Sequence, residues 1–168
     1  MTAIPRTTLA DLIDRYAVLL LDAYGVLVTH DGALPGATTL ITRLNELGKP
    51  YFILTNPDLI YPAAEGRYGF TAGSLALLLE EALRWRYREL EGLRFTPLGK
   101  PHSPMFEEAE HRSGTRDMVM IGDQVATDIR GAARFGIDSA LVTTGLTRCT
   151  PELPPGDRPD FLLESLEL

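Results

Sequence analysis

Apolar residues in this chain come in short blocks that stop at polar ones, and the blocks recur along its length. Val18-Leu19-Leu20-Leu21 is unbroken and closes on Asp22, the pattern of a strand covered on both faces. Tyr51 to Thr55, Met118 to Asp123 and Ser139 to Thr143 repeat it, and Arg94 to Leu98 and Asp160 to Leu163 predict two shorter strands. Between these blocks the apolar spacing lengthens to that of a helix. Thr8 is a candidate N-cap for a short helix ending near Tyr16. Gly36 to Leu47 puts Leu40, Ile41, Leu44 and Leu47 on one face, and Gly48 stops it. A long helix is predicted from Ala72 to Glu91, with Leu75, Leu78, Leu79, Ala82 and Trp85 or Arg86 on its inner face. Pro104 to Arg112 and Asp128 to Phe135 are also predicted helical, the second stopped by Gly136. Val28 to Pro35 carries the turn signal of a small hairpin, and Pro57 to Phe70 has no period and predicts an irregular loop. Strands alternating with helices imply an α/β fold, a three-layer Rossmann-like parallel sheet with helices on both faces. No repeat divides it, and Thr150 to Pro159 predicts a loop before the last element, so residues 1–168 are expected to form one domain.

Composition narrows the function. The chain has 168 residues, 45% of them hydrophobic, enough for a single substantial core. A net charge of -7 without any basic run argues against a nucleic-acid or anionic-membrane surface. Cys149 is the single cysteine, which excludes an intrachain disulfide and a thiolate metal cluster. The first residues, Met1 to Arg6, lack the apolar core of a signal peptide, and no apolar run is long enough to span a bilayer. A cytoplasmic enzyme or binding domain is the expectation.

In a parallel sheet the strand ends gather at one edge, where open α/β folds hold their ligands. Asp22, Thr55, Lys100 and Asp123 follow strands in that order, and Asp128 lies a turn beyond. Aspartates at neighbouring strand ends suit a hard cation such as Mg²⁺, which takes oxygen ligands. A threonine hydroxyl and a lysine ammonium suit a phosphoryl group. Taken singly, each has an ordinary explanation: a lysine before proline is usually solvated, Thr55-Asn56-Pro57-Asp58 reads as a turn, and Gly122-Asp123 could cap a helix. Their arrival together, in order and at strand ends, favours a site.

The chain resembles the haloacid dehalogenase superfamily, whose first motif is a hydrophobic run followed by Asp-x-Asp-Gly. Asp22 matches that family's nucleophile, Thr55 its second motif, Lys100 its third, and Gly122-Asp123 with Thr127-Asp128 its fourth. Gly99-Lys100-Pro101-His102-Ser103-Pro104-Met105-Phe106 and Thr127-Asp128-Ile129-Arg130-Gly131-Ala132 are similar to its class IIA, the sugar- and nucleotide-phosphatase-like group. The resemblance implies a catalytic set of Asp22, Thr55 and Lys100, with Thr55, Asn56 and Lys100 binding a small phosphorylated substrate. It implies Mg²⁺ held by Asp22, the Tyr24 carbonyl, Asp123 and Asp128.

Two departures from the family stand out. Family phosphatases carry a second aspartate two residues after the nucleophile as general acid and base, and this chain has Tyr24 there. A tyrosine with an ordinary pKa near 10 serves poorly in that role at neutral pH. The other departure is the cap domain of class II members, for which the stretch between Asn56 and Gly99 is too short. The cap is expected to be absent between about residues 54 and 58, and with it any guide to substrate identity. The leading expectation is a phosphomonoester hydrolase that forms an aspartyl-phosphate on Asp22 and is slowed by Tyr24. The alternative is a non-catalytic domain that binds phosphate or a partner. A haloacid dehalogenase fits less well, because those enzymes need no metal and lack the Gly-Asp pair seen at Gly122-Asp123. Apolar surface left open without a cap also predicts a homo-oligomer.

Overall fold

The structure is a computed structural model that describes residues 3–63, 66–89, 92–143 and 153–168. Cys149 and the first part of the loop expected over Thr150 to Pro159 lie outside those residues. A two-residue strand, β1 (Arg6–Thr7), precedes helix α1 (Leu9–Arg15). The Thr8 hydroxyl accepts the Asp11 amide at 3.1 Å and the Asp11 carboxylate accepts the Thr8 amide at 3.3 Å, a reciprocal cap for the helix start. Strand β2 (Val18–Asp22) follows, then a hairpin of β3 (Val28–Thr29) and β4 (Gly32–Ala33). Helix α2 (Ala37–Glu46) leads to β5 (Tyr51–Leu54). A second hairpin of β6 (Ile60–Pro62) and β7 (Tyr68–Phe70) precedes α3 (Ala72–Arg86). The remaining elements are α4 (Pro104–Ser113), β8 (Met118–Gly122), a π-helical turn over Val125–Ile129, α5 (Arg130–Phe135), β9 (Asp138–Val142) and β10 (Phe161–Leu163).

Six strands form one parallel sheet in the order β1-β10-β9-β8-β2-β5. Alternation along the strands sorts their side chains between two cores. Leu19, Leu21, Val119 and Ile121 pack with Leu9 and Leu12 of α1 and Leu40 and Leu44 of α2. Val18, Leu20, Met118 and Met120 pack with Phe106 and Ala109 of α4 and Ala132 and Phe135 of α5. The unbroken apolar runs are therefore explained by burial on both sides.

From β2 the chain moves to β5 on one side and later returns to β8 on the other. Connections that part in this way open a crevice at the carboxyl ends of β2 and β8. Leu21 pairs with Ile121 and Asp22 with Leu54, so Asp22, Thr55 and Asp123 come to the same edge.

Several expectations are corrected. The stretch from Pro57 to Phe70 is not an irregular loop, since β6 and β7 pair Ile60 with Phe70 and Tyr61 with Gly69. Strands of three residues are too short to show a period. No strand forms at Arg94 to Leu98. There the Phe95 amide donates to the Glu80 carboxylate at 2.7 Å, and β5 stays at the sheet edge. Helix α3 ends at Arg86, and its supposed inner face is open, with Leu78 64% and Trp85 76% exposed. Gly73 and Glu80 are its buried residues instead. Helical spacing defines an apolar stripe without saying what covers it. Leu47 is likewise exposed, although Leu40 and Leu44 of the same helix are fully buried. The helix expected from Asp128 begins earlier, as the π-helical turn at Val125.

Candidate active site

Asp22 closes β2 and is 3% exposed. The chain turns sharply behind it: the Leu27 and Val28 amides both donate to the Ala23 carbonyl at 2.9 Å, and the Gly25 amide donates to the Val28 carbonyl at 2.9 Å. Gly25 has φ +95°, and a Cβ there would lie 2.5 Å from Asp123 Oδ2. Glycine is thus required both for the turn and for the approach of the Asp123 carboxylate. The second of these reasons could not be read from the sequence.

Lys100 is fully buried, with Nζ 2.5 Å from Asp22 Oδ1 and 2.6 Å from Asp128 Oδ1. Its backbone amide donates to the Thr55 carbonyl at 2.9 Å, which ties the loop after β5 to the one before α4. A Cβ on Gly99 would stand 2.8 Å from that carbonyl. Asp128 also accepts the Gln124 amide at 2.9 Å, and a Cβ on Gly122 would fall 2.2 Å from its carboxylate. The π-helical turn and the missing Gly122 side chain together admit Asp128 to the site. Burial pushes the Asp128 carboxyl up to about 6, with Lys100 opposing the rise and Asp22 adding to it.

Asp22, Asp123 and Asp128 are all buried, and each offers an oxygen within 4.8 Å of the others. The Lys100 ammonium pairs with two of these carboxylates, and bringing three carboxylates together in a buried site calls for compensating positive charge. The donors are all oxygen, and Gly25 and Gly122 make room for two of the carboxylates. The residues therefore fit a hard divalent cation such as Mg²⁺.

Tyr24 meets Tyr61 of β6 edge-on, with ring centroids 6.2 Å apart and planes at 68°. Thr55 is exposed at the end of β5, and the Asn56 amide nitrogen is buried without hydrogen-bond geometry to any described residue. All of the sequence-derived candidates thus lie around the one crevice. Asp58 is an addition. Burial is the main cause that raises its carboxyl, the Asn56 side chain opposes the rise, the Asp22 charge adds to it, and Lys100 works against it. In the sequence its only signal was its place just after Thr55-Asn56, where it read as part of a turn.

Residues 19–62 match the family profile of haloacid dehalogenase-like hydrolases, and residues 97–168 match a second profile of HAD-hydrolase-like proteins. The chain belongs to the haloacid dehalogenase-like hydrolases. It is 32% identical over 117 residues to the 5'-nucleotidase YutF of Bacillus subtilis, an alignment covering 68% of this chain and 42% of that protein. With dihydroxyacetone phosphatase of Corynebacterium glutamicum it shares 33% identity over 121 residues, 71% of this chain and 40% of the other. The chain thus spans less than half the length of these two relatives. Its fold superposes on a solved structure described as a possible sugar phosphatase of the HAD superfamily from Cytophaga hutchinsonii, with a TM-score of 0.76 and 20% identity over 99% of each chain. The residues between the two family matches hold β7 and α3, the part of this haloacid dehalogenase-like chain whose apolar side chains are most open.

Proposed function

We propose that this chain is a Mg²⁺-dependent phosphomonoester hydrolase acting on a small phosphorylated molecule through an aspartyl-phosphate on Asp22. One observation carries the reading: a buried lysine holds Asp22 at the crevice while Asp123 and Asp128 converge on the same point. In this reading Asp22, the Tyr24 carbonyl, Asp123 and Asp128 hold Mg²⁺, which when bound neutralises charge on the transferring phosphoryl group. Asp22 attacks phosphorus, Lys100 faces the phosphoryl oxygens, and Thr55 and Asn56 orient them. Water then releases phosphate from Asp22. The names of the two curated relatives, a nucleotidase and a phosphatase, support this class of reaction.

The reading treats residues 1–168 as one core domain without a cap between residues 54 and 58, and places it in the cytoplasm. No described helix is long and apolar enough to cross a membrane. Self-association belongs to the same reading, because α3 and β7 leave large apolar side chains open. Tyr24, standing where a carboxylic acid would shuttle protons, favours the second reading of a phosphate-binding domain without turnover.

Hydrolysis of 4-nitrophenyl phosphate with Mg²⁺ and with EDTA separates the readings. The expected result is turnover that EDTA removes and that Asp22→Asn abolishes while circular dichroism is unchanged. A folded chain that binds Mg²⁺ and phosphate without turnover would favour the binding domain. Halide release from a 2-haloalkanoate, unaffected by EDTA, would identify a dehalogenase.

A further inference from the structure

Phosphoryl transfer to Asp22 requires a proton for the leaving oxygen, and the later hydrolysis requires a base for water. Tyr24 is poorly suited to either. Asp58 stands on the segment that joins β5 to β6, between Thr55 and Tyr61. Both sides of this segment are anchored. The Lys100 amide donates to the Thr55 carbonyl at 2.9 Å, and the Gly73 amide donates to the Asp58 carbonyl at 3.0 Å. The Thr71 hydroxyl donates to that same Asp58 carbonyl. At Gly73 a Cβ would come within 2.3 Å of the Pro57 carbonyl oxygen, so the start of α3 lies directly against this segment. Beyond Asp58 the Tyr61 ring of β6 reaches the ring of Tyr24.

The backbone at Asp58 is thereby held on the short segment between Thr55, at the end of β5, and Tyr61, whose ring meets that of Tyr24. Asp58 is half-buried, and its carboxyl lies within electrostatic reach of Asp22 and Lys100. Burial is the main cause that raises it, against the Asn56 side chain, with Asp22 adding to the rise and Lys100 opposing it. A carboxyl held above its ordinary range gives and takes a proton more readily near neutral pH.

We propose that Asp58 is the general acid and base of the Asp22 reaction. The inference rests on the phosphatase reading above. In the first step an Asp22 oxygen forms a bond to phosphorus as the bond to the leaving oxygen breaks, and the Asp58 proton passes to that oxygen. In the second step the Asp58 carboxylate takes a proton from water as the water oxygen bonds to phosphorus. The bond between phosphorus and Asp22 then breaks, which releases phosphate and leaves Asp58 protonated as at the start.

The test compares Asp58→Asn with the unaltered chain, both with Mg²⁺, on phenyl, 4-nitrophenyl and 2,4-dinitrophenyl phosphate. The ratio kcat/KM reports transfer to Asp22, and a good leaving group needs little acid assistance. Asp58→Asn should lower kcat/KM for phenyl phosphate by about a hundredfold or more and barely change it for 2,4-dinitrophenyl phosphate. With the latter it should also show a burst of phenolate followed by slow turnover, since hydrolysis of the aspartyl-phosphate has lost its base. Asp58→Glu keeps a carboxyl and should keep the leaving-group dependence of the unaltered chain, which covers the case in which the Asn variant fails to fold. An equal loss across all three esters, or a Glu variant as steeply dependent on the leaving group as the Asn variant, overturns the role of Asp58 alone. Absence of turnover in the unaltered chain overturns both this role and the hydrolase reading.

Discussion

At the scale of single residues, the site is organised by the burial of charge. Lys100 lies between Asp22 and Asp128, where losing one partner from a buried pair commonly costs about 3–5 kcal/mol. Asp128 still feels its desolvation. Its carboxyl is raised from 3.8 to about 6, so its contribution to folding is complete below pH 3.8 and is lost as the pH rises through about 6. The loss amounts to about 3 kcal/mol. Urea unfolding in EDTA should therefore show the natural chain losing about that much relative to Asp128→Asn between about pH 4 and pH 7. Adding Mg²⁺ at neutral pH should restore stability by mass action if the ion binds only the folded state. A difference between the two proteins that does not change with pH would mean that Lys100 keeps Asp128 ionised throughout.

At the scale of elements, α3 buries an acid and exposes its leucines. Glu80 accepts the Phe95 amide at 2.7 Å and the Arg94 guanidinium at 2.9 Å, and the Phe95 amide is the main cause holding its carboxyl below the usual range. Because this carboxyl is lowered, its contribution is present above its ordinary value of 4.5 and is lost as the pH falls through the lower folded value. These contacts replace the strand expected at Arg94 to Leu98. Glu80→Ala should free that segment and speed hydrogen exchange of the Phe95 amide at neutral pH, with little change in the amides of β2 and β8. Unchanged exchange at Phe95 would show that something other than Glu80 fixes the segment.

At the scale of the whole molecule, the open apolar surface matters most. Tyr68 and Phe70 of β7 and Leu75, Leu78, Leu79 and Trp85 of α3 are all exposed. Few monomers leave so much apolar area in contact with water. Sedimentation at micromolar concentration should give a mass above that of one chain, and Leu78→Glu together with Trp85→Glu should return it to one. A single-chain mass for the unaltered protein would remove self-association from the proposal.

The strands Val18–Asp22 and Met118–Gly122 were legible in the sequence because burial on both faces forces continuous apolar runs, which few other structures demand. The start of α1 was legible for a local reason, since Thr8 caps it through contacts only a few residues apart. Asp22 and Asp123 could be placed at one sheet edge because parallel strands carry their ends to the same side, whereas the strand expected to deliver Lys100 does not form and the lysine reaches Asp22 from the loop before α4. Only the tertiary structure decided what depends on contacts between distant segments. It put Lys100 between two aspartates, fitted Gly25 against Asp123, and brought Asp58 under the electrostatic influence of Asp22. It also turned the apolar stripe of α3 outward, because periodicity records which residues share a face and holds no information about the surface that face will meet.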